Sequence, residues 1–397
     1  VSKAIIYLTA RRGGDLIYAL DVTDPLAPSI KWRKSSADNG FSEMGQTWSK
    51  PTISKVKLGA ADKVVLIMGL GYDPDVDDGN SSTRTQGRGV IVVDAETGAD
   101  IWQVTSGTVS SPSGTVLSET AMSYSVPSDL AVVDRDGNGY SDRIYFGDTG
   151  GQLWRLDIGS SILSDWKATR LFRFSSTATQ RFLNAPDVVE SPDGSYDMVI
   201  IGSGNREKPV DTSVQNYMLF YRDYDQAGVS TATATLQLSD LAKADTLSGG
   251  TLEFDSDQDI AADSKFIKGW YLPLESGEKV VTSALTTNKT TTFATNVPGI
   301  NSACSDLGEA RIYKVNPFSV TGSADGDKNY VEIGGGGFLP PPVGFTVMVD
   351  VESCDGDGNC NTEDKPISGV MFGFHAEDTE GDPLGERRKV WWYNQRD

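Results

Sequence analysis

Histidine is nearly absent from this chain. The one copy, His375, leaves no material for a histidine-based zinc site or for a Ser-His or Cys-His triad, which removes much of enzyme chemistry. Long hydrophobic runs are missing too: no stretch approaches the ~20 apolar residues that cross a bilayer as a helix. Basic charge is scarce, with 35 Lys and Arg against 55 Asp and Glu and a formal net charge of −20. Nucleic-acid affinity rests on cations that neutralise phosphates, so this balance argues against such a partner and suits divalent cations instead. Cysteine is rare: Cys304, Cys354 and Cys360. The last two flank a short Gly- and Asp-rich stretch in "SCDGDGNCNTE" and can reach disulfide range, which would fit an oxidising compartment. Three reduced thiols, or Cys304 competing for either partner, are the alternatives. No signal peptide is legible. The chain opens strand-like on "VSKAIIYLTA", so a mature or excised fragment of something longer is expected.

What is present in quantity is the material of β-structure. Short runs of β-branched and aromatic residues bounded by Gly, Asp, Asn and Pro recur throughout: "AIIYLTA", "KVVLIMGLG", "GVIVVDAETG", "DRIYFGD", "QLWRLDIG", "DMVIIGSG", "TTFATNVP" and "ARIYKVN". Stretches of helical periodicity are few and short, the best candidate lying near 236–246, "LQLSDLAKADT", and 42 glycines supply turns. The expected fold class is all-β.

A degenerate repeat runs through those strands. "LIYALDVTDPLAPSIKW" (16–32), "VIVVDAETGADIW" (90–102) and "QLWRLDIGSSILSDW" (152–166) each run strand, Asp, turn, return strand, Trp. A weaker fourth copy, "RIYKVNPFSVTG" (311–322), has Asn316 in the Asp position. In the second copy Asp94 is placed to accept backbone N–H bonds and Gly98 to take a positive φ. Trp32, Trp102 and Trp166 are expected to bury between stacked sheets. Counting these hairpins with their partner strands gives roughly seven groups without a linker. This predicts one β-propeller domain over 1–397, with long insertions at 72–89 and 223–265.

One loop carries a ligand pattern. In "DRDGNGYSD" (134–142), alternate positions hold Asp134, Asp136, Asn138, the carbonyl of Tyr140, and Asp142, with Gly139 where the chain turns around an ion. Calcium takes roughly six to eight oxygen ligands, and an EF-hand loop supplies them at this spacing. Position twelve is Tyr145 instead of a bidentate Glu, and "RIYFGD" follows as a strand, so the loop is expected between strands with affinity on the order of micromolar. Three stretches imitate it less well. "DSDQDIAAD" (255–263) has Asp255, Asp257, Asp259 and Asp263 but Ile260 in the glycine position, and reads as a solvated loop or helix start. "DGDGNCNTE" (355–363) offers Asp355, Asp357, Asn359 and Glu363 as a less favoured second ion site, with Cys360 in place of glycine. Asp73, Asp75 and Asp77 precede Asp78 instead of glycine and read as a solvated loop. No nucleophile–base pair, phosphate loop or carboxylate dyad stands out, so no catalytic residue is expected.

"MGQTWSKPTI" (44–53), "IMGLGYD" (67–73), "GRGVIVVDAETGADIW" (87–102), "PSDLAVVDRDGNGYSDRIYFGDTGGQLWRLDI" (127–158) and "GWYLPLESGEKVV" (269–281) together resemble the C-terminal domain of the PilY family. These are type IV pilus biogenesis and tip-adhesin proteins, called PilC in some bacteria. The likeness extends to the basic-aromatic ending "RRKVWWYNQ" (387–395), and the cation loop with its "YFGD-x-x-G-x-LWR" sequel is its most specific part. The resemblance implies a modified seven-bladed β-propeller with one calcium loop, its ligands at Asp134, Asp136, Asn138, Tyr140 and Asp142. It also implies a longer protein with an N-terminal region, a pilus-associated, extracellular location, and pilins or minor pilins and a host-cell receptor as partners. Calcium occupancy in the family is tied to pilus extension against retraction, twitching motility and host-cell attachment. The Arg-Gly-Asp tripeptide that some members use for integrins is absent; "RRGGD" (11–15) has one glycine too many. Two alternatives stand beside this reading. "VVDAETGADIW" also resembles the repeat of quinoprotein dehydrogenases, although no two cysteines are adjacent here. An integrin-α-like propeller also uses D-x-D-x-D-G loops, but in several consecutive blades.

Overall fold

The computed structural model of the chain describes residues 3–77, 83–110, 113–175, 179–224, 234–246, 252–254, 264–299, 308–318, 330–334, 336–354, 360–372 and 375–378. Among these residues the strands form six sheets, nearly all antiparallel. The first holds β1 (Ile5–Thr9), β2 (Leu16–Asp21) and β3 (Ser29–Ser35) in that order. The second runs β4 (Thr52–Leu58), β5 (Ala61–Gly69), β6 (Gly89–Asp94), β7 (Asp100–Thr105), with β8 (Thr115–Ser118) parallel to β7. One short helix, α1 (Pro74–Asp77), lies between β5 and β6. The third is an up-and-down set of β9 (Ala131–Val133), β10 (Arg143–Gly147), β11 (Gln152–Asp157) and β12 (Lys167–Arg173).

Three more sheets follow. β13 (Asp187–Glu190), β14 (Asp197–Gly202) and β15 (Tyr217–Asp223) continue into β18 (Gly269–Pro273), followed by β16 (Ala242–Thr246) and then β17 (Leu252–Phe254). Helix α2 (Ser264–Lys268) leads into β18. The fifth sheet orders β19 (Lys279–Val280), β21 (Thr290–Val297), β22 (Glu309–Val315) and β23 (Tyr330–Ile333), with β20 (Leu285–Thr287) on β21. The sixth is β24 (Val343–Cys354), β25 (Cys360–Phe372) and β26 (His375–Asp378). Contacts gather these sheets into two compact units, one built on Val1–Val188 and Asp225–Asp240, the other on Val189–Tyr224 and Leu241–Arg387.

The repeat read in the sequence has a packing reason. Strands such as β6, β10 and β14 are buried at every position, which suits their nearly uninterrupted apolar runs. In the first three sheets one hairpin pairing slips at a bulge: β2–β3 between Ala19 and Leu20, β6–β7 between Val92 and Val93, and β11–β12 between Leu153 and Trp154. Bulges raise the local twist that lets one sheet stack on the next. The tryptophans then bridge sheets. Trp32 donates its indole N–H to the Ala95 carbonyl (3.1 Å), in the turn after β6, and Trp102 meets Trp166 with ring centroids 5.3 Å apart. In the second unit Trp270 repeats the device on the Pro317 carbonyl (3.1 Å) and stacks on Phe220 at 3.8 Å.

Turn chemistry follows expectation at Asp94, whose Oδ1 accepts the N–H groups of Glu96 and Thr97 (both 2.9 Å), with Gly98 at φ +70°. In the fourth copy Asn316 accepts the Phe318 N–H (2.9 Å); 319–322 lie outside the described residues. The helix expected near 236–246 does not form. Leu238–Asp240 makes a single 3₁₀ turn, and Ala242–Thr246 becomes β16 because it adds in parallel to β18, which buries Ala242 and Ala244 in the Trp270 core. Cys354 and Cys360 fall directly opposite each other in the β24–β25 register, whereas Cys304 lies outside the described residues.

Candidate metal centre

The loop 134–142 closes the hairpin between β9 and β10, whose last pair is Val133 with Arg143. Strands therefore bound it on both sides, as the sequence predicts. The hairpin is held shut by the Asp142 N–H on the Val133 carbonyl (3.0 Å), and Asp142 accepts the Ile158 N–H on its own carbonyl (2.8 Å). Between these anchors two glycines take positive φ, Gly137 at +70° and Gly139 at +91°, and curl the backbone so that side chains of alternate residues turn inward.

Three of the five predicted ligand residues meet at their side chains: one carboxylate oxygen each from Asp134, Asp136 and Asp142 falls within 4.8 Å of the others. Backbone amides shape the cluster. Asp134 accepts the Asn138 N–H (3.1 Å) and the Gly139 N–H (2.8 Å); Asp136 accepts the Asn138 N–H (3.1 Å) and its side-chain amide (2.8 Å). Asn138 in turn receives the Tyr140 N–H on Oδ1 (2.8 Å). Asp142 uses only Oδ2, for the N–H groups of Arg135 (2.9 Å) and Asp136 (3.4 Å). Its Oδ1 is buried and has no hydrogen-bond partner. Burial pushes the Asp142 carboxyl up to about 6, against those two N–H groups and with the Asp136 charge adding to the rise.

An orphaned buried carboxylate oxygen beside two further carboxylates is costly by itself. An all-oxygen donor set of this kind is the chemistry a hard divalent cation takes. Tyr140 differs from the other four. Its hydroxyl leaves the loop and donates to Asp62 at the start of β5 (2.9 Å), while Lys57 of β4 sits 5.3 Å over its ring. Ser141 is joined to the same hairpin through its N–H on the Lys55 carbonyl (2.9 Å) and a short hydroxyl contact with Ser54. The sequence pattern contains no sign of these partners, because they lie some eighty positions away on another sheet. Tyr145, at position twelve, is fully buried in β10.

The lesser candidates fare differently. Asp73 is only 1% exposed, not solvated: its Oδ2 accepts the N–H groups of Thr85 (2.6 Å) and Gln86 (3.0 Å) and its Oδ1 that of Asp75 (3.0 Å). Burial opposes its charge, but these bonds hold its carboxyl below the usual range. It anchors the 72–89 insertion. Residues 255–263, and 355–359 of the second possible loop, lie outside the described residues. The motif after the cation loop proves to be structural. Asp148, fully buried, accepts the N–H groups of Gly150 (2.9 Å) and Gln152 (3.0 Å) and the Trp154 indole (3.0 Å). Among the described residues no helix is long and apolar enough to cross a membrane.

No family model matches the chain. A type IV pilus biogenesis factor PilY1 homolog of Xylella fastidiosa is 26% identical over 330 residues, covering 80% of this chain and 24% of that protein. The type IV pilus biogenesis factor PilY1 of Pseudomonas aeruginosa is 23% identical over 362 residues, covering 78% of this chain and 28% of that protein. The chain thus spans about a quarter of the length of these curated relatives. In fold it is similar to the crystal structure of the Pseudomonas aeruginosa PilY1 C-terminal domain, with a TM-score of 0.65 and 18% identity, over 96% of this chain and 85% of that one. The fold is accordingly that of the PilY1 C-terminal domain, a β-propeller.

Proposed function

From the premise that the chain is a PilY1-type C-terminal domain, we propose that it is a non-enzymatic, calcium-binding part of the type IV pilus machinery. Its two compact units are read as one propeller domain of a longer protein. Pilins or minor pilins are its partners, with a host-cell receptor as a further one, and its place is outside the cell on the pilus. Calcium occupancy of the 134–142 loop sets the balance between pilus extension and retraction, and with it twitching motility and attachment.

The observation that carries the ion reading is the orphaned, buried Oδ1 of Asp142 beside the carboxylates of Asp134 and Asp136. Asp134, Asp136, Asn138 and Asp142 would hold the ion by side-chain oxygens and Tyr140 by its carbonyl, the ligand order of an EF-hand loop. A bound dication supplies the positive charge that lets three carboxylates share one small volume. The residues supply the rest: glycines 137 and 139 set the curl, and backbone N–H groups aim the carboxylates before any ion arrives.

Thermal melting of the chain with and without calcium tests this directly. The wild type is expected to gain about 2–3 kcal/mol at calcium near a hundred times the dissociation constant, and Asp134→Ala to gain nothing. An equal response from both proteins, or none from either, would discard the site. At the level of the cell, Asp142→Ala in the full-length protein is expected to alter twitching as calcium is varied. Unchanged pilus number and twitching at every calcium level would refute the functional half of the proposal.

A further inference from the structure

The calcium loop is not isolated on its hairpin. Two consecutive residues, Tyr140 and Ser141, join it to the β4–β5 hairpin of the neighbouring sheet, and the two joints differ in kind. Ser141 is buried: its N–H bonds the Lys55 carbonyl at 2.9 Å and its hydroxyl meets Ser54. That contact is part of the packed interior. The Tyr140 joint lies at the surface, where its hydroxyl donates to Asp62 (2.9 Å), Lys57 pairs with Asp62 (3.1 Å) and the Lys57 ammonium lies over the Tyr140 ring (5.3 Å). The side chains of Lys57 and Asp62 are 44% and 50% exposed, and an exposed ion pair of this kind contributes little by itself. Whether the triangle closes depends on how firmly Tyr140 is held.

We infer that Tyr140 is the positioning residue that passes ion occupancy from the loop to the β4–β5 hairpin. The inference rests on the calcium reading of the loop. Tyr140 occupies the one ligand position served by a backbone carbonyl, so its main chain belongs to the ion site while its side chain remains free to reach Asp62. Its N–H is already fixed by Asn138 (2.8 Å), and Gly139 before it is fixed by Asp134 (2.8 Å). Without a cation, mutual repulsion of Asp134, Asp136 and Asp142 loosens the segment between the anchors, and the surface triangle opens with it. With one, Tyr140 is pinned, and the hairpin 55–62 stiffens although none of its residues is a ligand.

Tyr140→Phe separates the two roles, since it keeps the carbonyl and the ring under Lys57 and removes only the hydroxyl on Asp62. Hydrogen exchange is measured on the wild-type protein and on Tyr140→Phe, each with and without calcium. In the wild type, calcium is expected to slow exchange in both 135–142 and 55–62, by about three- to tenfold in the latter, the scale of one hydrogen bond. In Asp62→Ala, which alters no ligand residue, the loop keeps its calcium response and 55–62 loses most of its own; Tyr140→Phe loses the 55–62 response likewise. An undiminished calcium response of 55–62 in Tyr140→Phe overturns the coupling role while leaving the ion site standing. No response anywhere in the wild type overturns the ion site and the coupling together.

Discussion

Asp148 shows how a single carboxyl is made to serve packing. It is wholly enclosed, and burial pushes it up to about 7, against three N–H donors from Gln152, Trp154 and Gly150. In the unfolded chain the same group titrates near 3.8. The folded state therefore binds the proton more tightly, so stability from this group is fully present below pH 3.8 and is lost as pH rises through about 7. Asp148→Asn is expected to remove that dependence, giving urea midpoints that fall less between mildly acidic and neutral pH. It should also cost roughly 1–3 kcal/mol throughout, because an amide that accepts from Gly150 and Gln152 turns its NH₂ toward the Trp154 N–H. A variant as pH-dependent as the wild type would show that another group titrates. The gathering of Asp134, Asp136 and Asp142 was legible from spacing alone, since side chains brought together by one turn are a local pattern. Asp148 was not legible as a clasp, because its third partner, Trp154, is fixed only once β10 and β11 pair.

At the scale of the element, the hairpin ending in Asp94 owes its fit to Gly98. A Cβ there would come within 2.7 Å of the Trp32 ring, and the backbone sits at φ +70°. Gly98→Ala is expected to cost about 1–2 kcal/mol from the left-handed backbone alone, plus the collision. Trp32→Ala should cost about 3–5 kcal/mol as a large core truncation. Removing the ring makes room for the methyl, so the double variant should lose less than the sum by about 1 kcal/mol or more in urea unfolding. Strict additivity would mean that Trp32 and Gly98 do not share this contact in solution. The strand-Asp-turn-strand-Trp plan revealed the first two hairpins because turn chemistry and alternation are local, but in the third copy Leu163–Asp165 is a 3₁₀ turn and Trp166 precedes β12 instead of closing a return strand. The β16 strand stayed hidden for the opposite reason. "LSDLAKAD" has helix-forming residues and a capping Ser-Asp start, and only parallel addition to β18, brought close by the chain's return at Gly269, makes it a strand. The anchoring of Asp73 was hidden likewise, since its partners Thr85 and Gln86 lie at the far end of the insertion it closes.

For the molecule as a whole, a net charge of −20 means that cations, bound or built in, carry more than their usual share of the stabilisation. The first unit places its carboxylates around a loop that suits an external ion. The second unit solves a similar problem internally. Glu278, fully buried, accepts hydrogen bonds from Tyr313 (3.0 Å) and Thr295 and faces Arg311 at 3.3 Å, while Arg311 also reaches Glu309 (2.6 Å) and Glu275 (3.1 Å). Burial works against the Arg311 charge, yet Glu278 and its fellow carboxylates hold that guanidinium above its ordinary range. Arg311→Met would leave Glu278 buried without its cation, at an expected cost of about 3–5 kcal/mol. The loop and this network belong to different units, so the two effects should add. Calorimetry should therefore show Arg311→Met melting lower than the wild type while keeping the full calcium-induced rise. A calcium response that shrinks in Arg311→Met would mean that the two units are energetically coupled, and that the ion's influence reaches beyond the sheets that hold it.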